Sequence, residues 1–258
     1  MPSLFAAGLV AVLALASAAG SPLLAAGVVL VQGIFAFGAV RQAGVPGAAV
    51  ATWLAFGVGA GTSVWFVVDD IPKLTPMARL LAAGFLLAIV VQLWRRHGRP
   101  LLTASLSVTV TAVVLAALPA ALVALRTGDA GAYAVGLGLL GVAIVLVVDG
   151  VGGRSVLARM LAVLAAAAAA VMLVMLVSMA DVPEVGAVVL AAFGALLAVA
   201  ALYAVDRLAA ESSTGEKQPD GGGDILELVA VDIRPLQLTL PIIMAAPVIY
   251  LLGRLLIG

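Results

Sequence analysis

The chain has 258 residues, of which 65% are hydrophobic and 10% charged, and its formal net charge is zero. No soluble domain of this size carries so much apolar surface, so the composition excludes a water-soluble fold and implies an all-α, polytopic membrane protein. The neutral balance excludes a nucleic-acid partner, which needs a basic stripe. The absence of cysteine excludes disulfides and thiolate chemistry, and a single histidine, His97 in RRHGR, excludes a His triad or zinc site.

A helix needs about 20 apolar residues to cross a bilayer. Nine runs approach that length: Leu4–Ala19, Ser21–Val40, Pro46–Val68, Leu80–Trp94, Leu101–Leu125, Ala132–Val148, Val156–Met179, Gly186–Ala204 and Leu236–Ile257. They predict a bundle of about nine spans forming one membrane domain, 1–258, with the first, fourth and sixth spans short. The first run ends in small residues (ASAAG) that resemble a signal-peptide cleavage site. It lacks the positive start of such a peptide and is read as a retained helix. Ser21-Pro22 separates the first two runs, since proline opens a helix but does not continue one. The other connections are short and rich in Pro and Gly. Trp65, Trp94, Tyr133, Tyr203 and Tyr250 lie near run ends, where such rings favour the headgroup region.

Within the spans, GVGAGTS in the third and TASLSVTVT in the fifth predict close helix packing, as does the alanine-rich AVLAAAAAAVMLVMLV of the seventh. No ionisable residue is expected at mid-depth. Arg159, one turn into the seventh span, is expected to snorkel to the interface.

Arg41, Arg95, Arg96, Arg99, Arg154, Arg159, Arg207, Lys217 and Arg234 fall on one side, against Lys73, Arg79, Arg126 and Arg254 on the other. The richer side is predicted to be cytoplasmic. With nine spans in a cell inner membrane, the N-terminus and the polar loop 206–235 lie inside and the C-terminus outside. That loop runs from Asp206 to Pro235 between the last two spans, and its centre, GEKQPDGGGD, is rich in Gly and Pro. ILELVAVDI, Ile225–Ile233, is expected to form a short interfacial helix.

The end of the chain, LTLPIIMAAPVIYLLGRLLIG, resembles the last span of phosphatidate cytidylyltransferases through Ala245, Ala246, Pro247, Val248, Tyr250, Leu251 and Leu252. RPLLTASLSVTVTAVVLAAL resembles the family segment that enters a span through VTAS. LVVDGVGGR is similar to the family run ending in SDTGAY, which places Asp149 on the family Asp. Nine spans also resemble the family architecture.

That resemblance places a catalytic signature in the loop before the last span, where this chain has its polar loop. There Thr214 falls on the signature Ser, Lys217 on its first Lys and Asp224 on the Asp of K-D. Gln218 replaces the Arg and Gly223 the second Lys. Asp232, Ile233 and Arg234 stand at H-G-G, and Gln237, Leu238 and Leu240 at D-R-x-D. The upstream PKK-x-W-E-G segment is missing, and SVLARMLAVL stands in its place. The resemblance therefore implies a divergent, catalytically inactive relative with a structural or lipid-associated role and no cofactor. The alternative is an active CTP-dependent enzyme. In that case Asp149, Asp206, Lys217 and Asp224 are the catalytic candidates, and Asp149 and Asp224 the candidate ligands for Mg²⁺. A second alternative is a small-solute transporter or a subunit of a membrane complex. Membrane lipids are the expected partners, with a membrane-protein partner or a second copy of the chain also open.

Overall fold

A computed structural model of the chain describes residues 2–40, 48–69, 74–94, 102–128, 131–152, 155–177, 184–214 and 234–256. These residues are helical almost throughout. In chain order the helices are α1 (Pro2–Ala19), α2 (Ser21–Gly33), α3 (Ala48–Asp69), α4 (Thr75–Trp94), α5 (Leu102–Ala117), α6 (Ala120–Arg126), α7 (Gly131–Gly152), α8 (Val156–Val177), α9 (Glu184–Thr214) and α10 (Arg234–Leu256). A π-helical segment, Ile34–Val40, continues α2.

Among the described residues, seven spans are long and apolar enough to cross a membrane, α5 and α6 counting together as one of them. The apolar parts of α1 and α4, Ser3–Ala19 and Thr75–Val91, are shorter. The count of nine expected from sequence therefore becomes seven full-length spans and two shorter apolar helices. The run expected to be short at Ala132–Val148 is instead a full-length helix, because α7 starts at Gly131 and continues past that run through Asp149, Gly150, Val151 and Gly152. The fifth run, expected to be continuous, is broken at Leu118–Pro119. α9 runs to Thr214, well past its apolar stretch, so Asp206 stands on a helix.

The helices form two groups. α1, α7, α8, α9 and α10 pack together, and α2, α3, α4 and α5 form the second set. α6 sits at the seam, against α3 and α2 on one side and α10 and α7 on the other. Ala120 to Leu125 are all buried, as expected of a helix that is apolar all round.

Small residues set the closest approaches, because lipid tails give helices no hydrophobic reason to associate and contact area must come from backbone proximity. A Cβ on Gly141 of α7 would lie 2.0 Å from the Ala191 carbonyl of α9, and one on Gly194 would lie 2.4 Å from the Gly138 carbonyl. α8 packs against α7 and α9 and buries Ala162, Ala166 and Ala170 at a four-residue period. The packing reading of the alanine run holds. So does that of GVGAGTS, in which Gly59 meets the Ala116 carbonyl. In TASLSVTVT, Ser105 and Thr109 are buried, and the Thr109 hydroxyl donates to the Ser105 carbonyl at 2.7 Å.

At one end of the bundle, Arg126 of α6 donates from Nε to the Ser17 carbonyl at 2.6 Å, which satisfies a free carbonyl at the α1 C-terminus. Near the run ends, Trp65 donates its indole N–H to Asp69, and Tyr203 lies 5.1 Å from the Arg207 guanidinium. Tyr250 differs from its neighbours in kind: it is buried inside the bundle.

Candidate functional site

The opposite end of the larger helix group holds a buried ion cluster. Asp149 lies in the last turn of α7, Arg159 in the first turn of α8, and Asp206 on the part of α9 that extends beyond its apolar stretch. The short α7–α8 connection brings the first two together. α9 packs against both α7 and α8 and brings the third.

Arg159 donates from Nε and Nη2 to Asp149 Oδ1 at 2.9 and 2.7 Å, and from Nη2 to Asp206 Oδ2 at 2.7 Å. Arg159 is 4% exposed and Asp149 is 8% exposed. The expectation that Arg159 snorkels to the interface is therefore overturned. The physical reason is that two carboxylates from neighbouring helices reach it within the bundle, so its charge is met by protein rather than by headgroup water. The Asp206 side chain is 28% exposed, so its share of the cluster is partly screened by solvent.

A cavity of about 10 Å³ adjoins the cluster, lined by Ser3, Asp149, Leu202, Val205, Asp206 and Gln237. Ser3 belongs to the first turn of α1 and Gln237 to the first turn of α10. α1 reaches this point because Gly150 lets Leu4 approach: a Cβ there would lie 2.7 Å from the Leu4 side chain. The ends of four helices and the body of α9 thus meet around two carboxylates and one guanidinium.

The chemistry open to this arrangement is limited by its geometry. Magnesium takes six oxygen ligands at about 2.0–2.1 Å and keeps several of its waters. A cavity of about 10 Å³ is at the lower limit for a single water. As placed, Asp149 and Asp206 do not fit a hydrated Mg²⁺, and Arg159 already donates to both. Among the described residues, no three His, Cys, Asp or Glu side chains cluster as a metal site would require.

Of the four candidates named from sequence, Asp149 and Asp206 come together. Lys217 and Asp224 lie outside the described residues, as do the Ile225–Ile233 segment and the Gly-rich centre of the loop. Arg159, Ser3 and Gln237 were missed as site residues. A signal for Arg159 was present: an arginine inside an apolar run calls for a named partner, and Asp149 lies ten residues before it.

No family model, no curated protein and no solved structure matches the chain. It is a multi-pass α-helical membrane protein by its own helices and composition.

Proposed function

We propose that this chain is a divergent, catalytically inactive relative of the phosphatidate cytidylyltransferases, with a structural or lipid-associated role in the membrane. The observation that carries the inactive reading is the Arg159 bridge. Nucleotidyl transfer needs carboxylates free to hold Mg²⁺ and separate cations to neutralise a triphosphate. Here one buried guanidinium bonds Oδ1 of Asp149 twice and Oδ2 of Asp206 as well. Such a cluster ties helix ends together and leaves little capacity for a metal.

The family part of the proposal rests on the AAPV-x-Y-L-L segment at Ala245–Leu252 and on the position of Asp149. The loss of H-G-G and D-R-x-D from the loop supports inactivity independently. Catalytic groups act as a unit, and keeping one or two does not rescue the rest.

Ligand-induced stabilisation tests the reading without requiring turnover. A ligand that binds the folded state at 100 times its Kd adds about 2.7 kcal/mol of stability. Purified protein should show no shift in melting temperature with CTP and Mg²⁺ together beyond that with Mg²⁺ alone. A CTP-dependent rise that disappears in Asp149→Asn would restore the enzyme reading.

A further inference from the structure

Two triads of helices in this chain share one plan. α3, α4 and α5 pack against one another, and so do α7, α8 and α9, the first helix against the third most extensively in both. α3 and α7 each have 22 residues, and α4 and α8 have 20 and 22. In each triad a glycine of the first helix meets a backbone carbonyl of the third: Gly59 that of Ala116, and Gly141 that of Ala191.

The sequence repeats in the same register. At a spacing of 80 residues and without a gap, Val67, Val68 and Asp69 match Val147, Val148 and Asp149, Ala78 and Arg79 match Ala158 and Arg159, and Leu81 and Ala82 match Leu161 and Ala162. At the same spacing Ala120, Ala121 and Leu122 of α6, which continues the α5 span, match Ala200, Ala201 and Leu202 of α9, and Arg126 falls opposite Asp206. Apolar matches alone mean little in so apolar a chain. The charges carry more weight: α3, α4, α7 and α8 each hold a single Asp, Glu, Lys or Arg, and these four residues fall in register as Asp69 with Asp149 and Arg79 with Arg159.

A unit that crosses three times ends on the opposite side of the membrane, so a copy that follows it directly is inverted. The contacts agree. Gly38, shortly before α3, lies against Pro235 in the first turn of α10, at the end that holds the ion cluster. α7 begins beside Leu125 and Arg126, at the other end. Asp69 and Asp149 therefore stand at opposite ends of the bundle.

The two copies are held differently. At the cluster end Arg159 is buried and bonds both Asp149 and Asp206. At the other end Asp69 takes the Trp65 indole N–H, Asp69 and Arg79 are both exposed, and Arg126 donates to the Ser17 carbonyl. The charges there reverse those of the cluster: one carboxylate and two guanidiniums, where the cluster has one guanidinium and two carboxylates.

Units of like sequence can adopt like conformations, and the cost of desolvating ions largely offsets their attraction, so neither arrangement is locked. In membrane proteins built from inverted repeats, one repeat rocks against the other and the two faces open in turn. We infer that this chain is an inverted duplication of a three-helix unit whose two ends close alternately. In the described state the Arg159 cluster closes one end. In the second state that cluster parts, and Asp69 gathers Arg79 and Arg126 at the other end. This is the motion of an alternating-access carrier. It goes beyond the inactive-enzyme reading and does not rest on it.

The test is distance measurement by pulsed electron paramagnetic resonance on the full-length protein in liposomes. The chain has no cysteine, so spin labels attach only where cysteines are introduced. Val151→Cys with Leu208→Cys reports the cluster end, and Val68→Cys with Gly128→Cys reports the other. The wild type should show mainly a short distance at the cluster end and a long one opposite. Asp206→Asn, which removes the partly exposed arm of the cluster, should raise the share of molecules with the reverse pattern at both ends together. Asp69→Asn, which removes the centre of the second arrangement, should abolish that share, and in the wild-type background it serves if Asp206→Asn does not fold. A cluster-end distance that lengthens while the opposite distance stays fixed would overturn the proposal, as local opening without exchange. No reverse pattern in either the wild type or Asp206→Asn would also overturn it, and so would a reverse pattern that survives Asp69→Asn.

Discussion

Replacing Arg159 by methionine removes the one cation that links Asp149 to Asp206 while keeping an unbranched side chain of similar length. Asp149 then holds a carboxylate that is 8% exposed, with neither of its hydrogen bonds. Breaking a buried ion pair from one side costs about 3–5 kcal/mol, because the surviving charge is left uncompensated. The Asp206 arm adds little, since its side chain is 28% exposed and an exposed pair contributes roughly 0–1 kcal/mol. For a chain of this size about 1 kcal/mol moves the melting temperature by roughly 2–4 °C, so Arg159→Met should lower it by on the order of 10 °C. The informative comparison is the double variant Arg159→Met, Asp149→Leu. Replacing both members of a buried pair with apolar groups is often neutral or stabilising, so the double should recover most of the loss. The assay is thermal stability by size-exclusion chromatography after heating detergent-solubilised protein, run as a double-mutant cycle. An Arg159→Met protein as stable as the wild type would refute the reasoning. So would a double variant whose losses simply add.

Gly141→Val should reduce the yield of monodisperse protein sharply, since its Cβ would lie 2.0 Å from backbone and overpacking of this kind costs about 1–3 kcal/mol or more. Gly57→Ala, where a Cβ would meet nothing within 4 Å, should leave melting unchanged or raise it by the helix propensity gained, about 0.5–1 kcal/mol. The Lys and Arg asymmetry predicts that a cysteine introduced at Ser213 resists an impermeant thiol reagent on whole cells while one at Gly258 reacts; the reverse pattern would overturn the orientation. Exchanging Gly215–Gly223 for a Gly/Ser linker of equal length should leave the melting temperature unchanged, because loops of such composition tolerate replacement at small entropic cost. A large drop would show that this stretch is packed.

The apolar runs were legible because hydropathy registers length and composition, and the small-residue stretches were legible because close helix approach needs residues without bulk. Gly59 makes such an approach and Ala166 is fully buried, whereas Gly141 makes its approach in a part of α7 that was not singled out. Hydropathy also explains the misses. It ends a span where charge begins, yet α9 continues as helix through Asp206 and Arg207 because Leu208, Ala209, Ala210 and Glu211 are good helix formers. It carried the fifth run straight through Pro119, although an interior proline predicts a break. It also treated Arg159 as a lone charge seeking water. Its partners come from α7 and α9, and no local pattern in α8 encodes them. Gln32 was passed over for the same reason: one amide in an apolar run finds its partner, Ser63, on α3.

The proposed loss of catalysis is tested most directly by turnover. Purified protein in detergent would be incubated with phosphatidate, radiolabelled CTP and Mg²⁺, beside the Asp149→Asn, Asp224→Asn double variant. The account predicts no lipid-linked CMP above background from either protein. Lipid-linked CMP that forms with the wild type and vanishes in the double variant would contradict it, and would make Asp149 and Asp224 working ligands of an active enzyme.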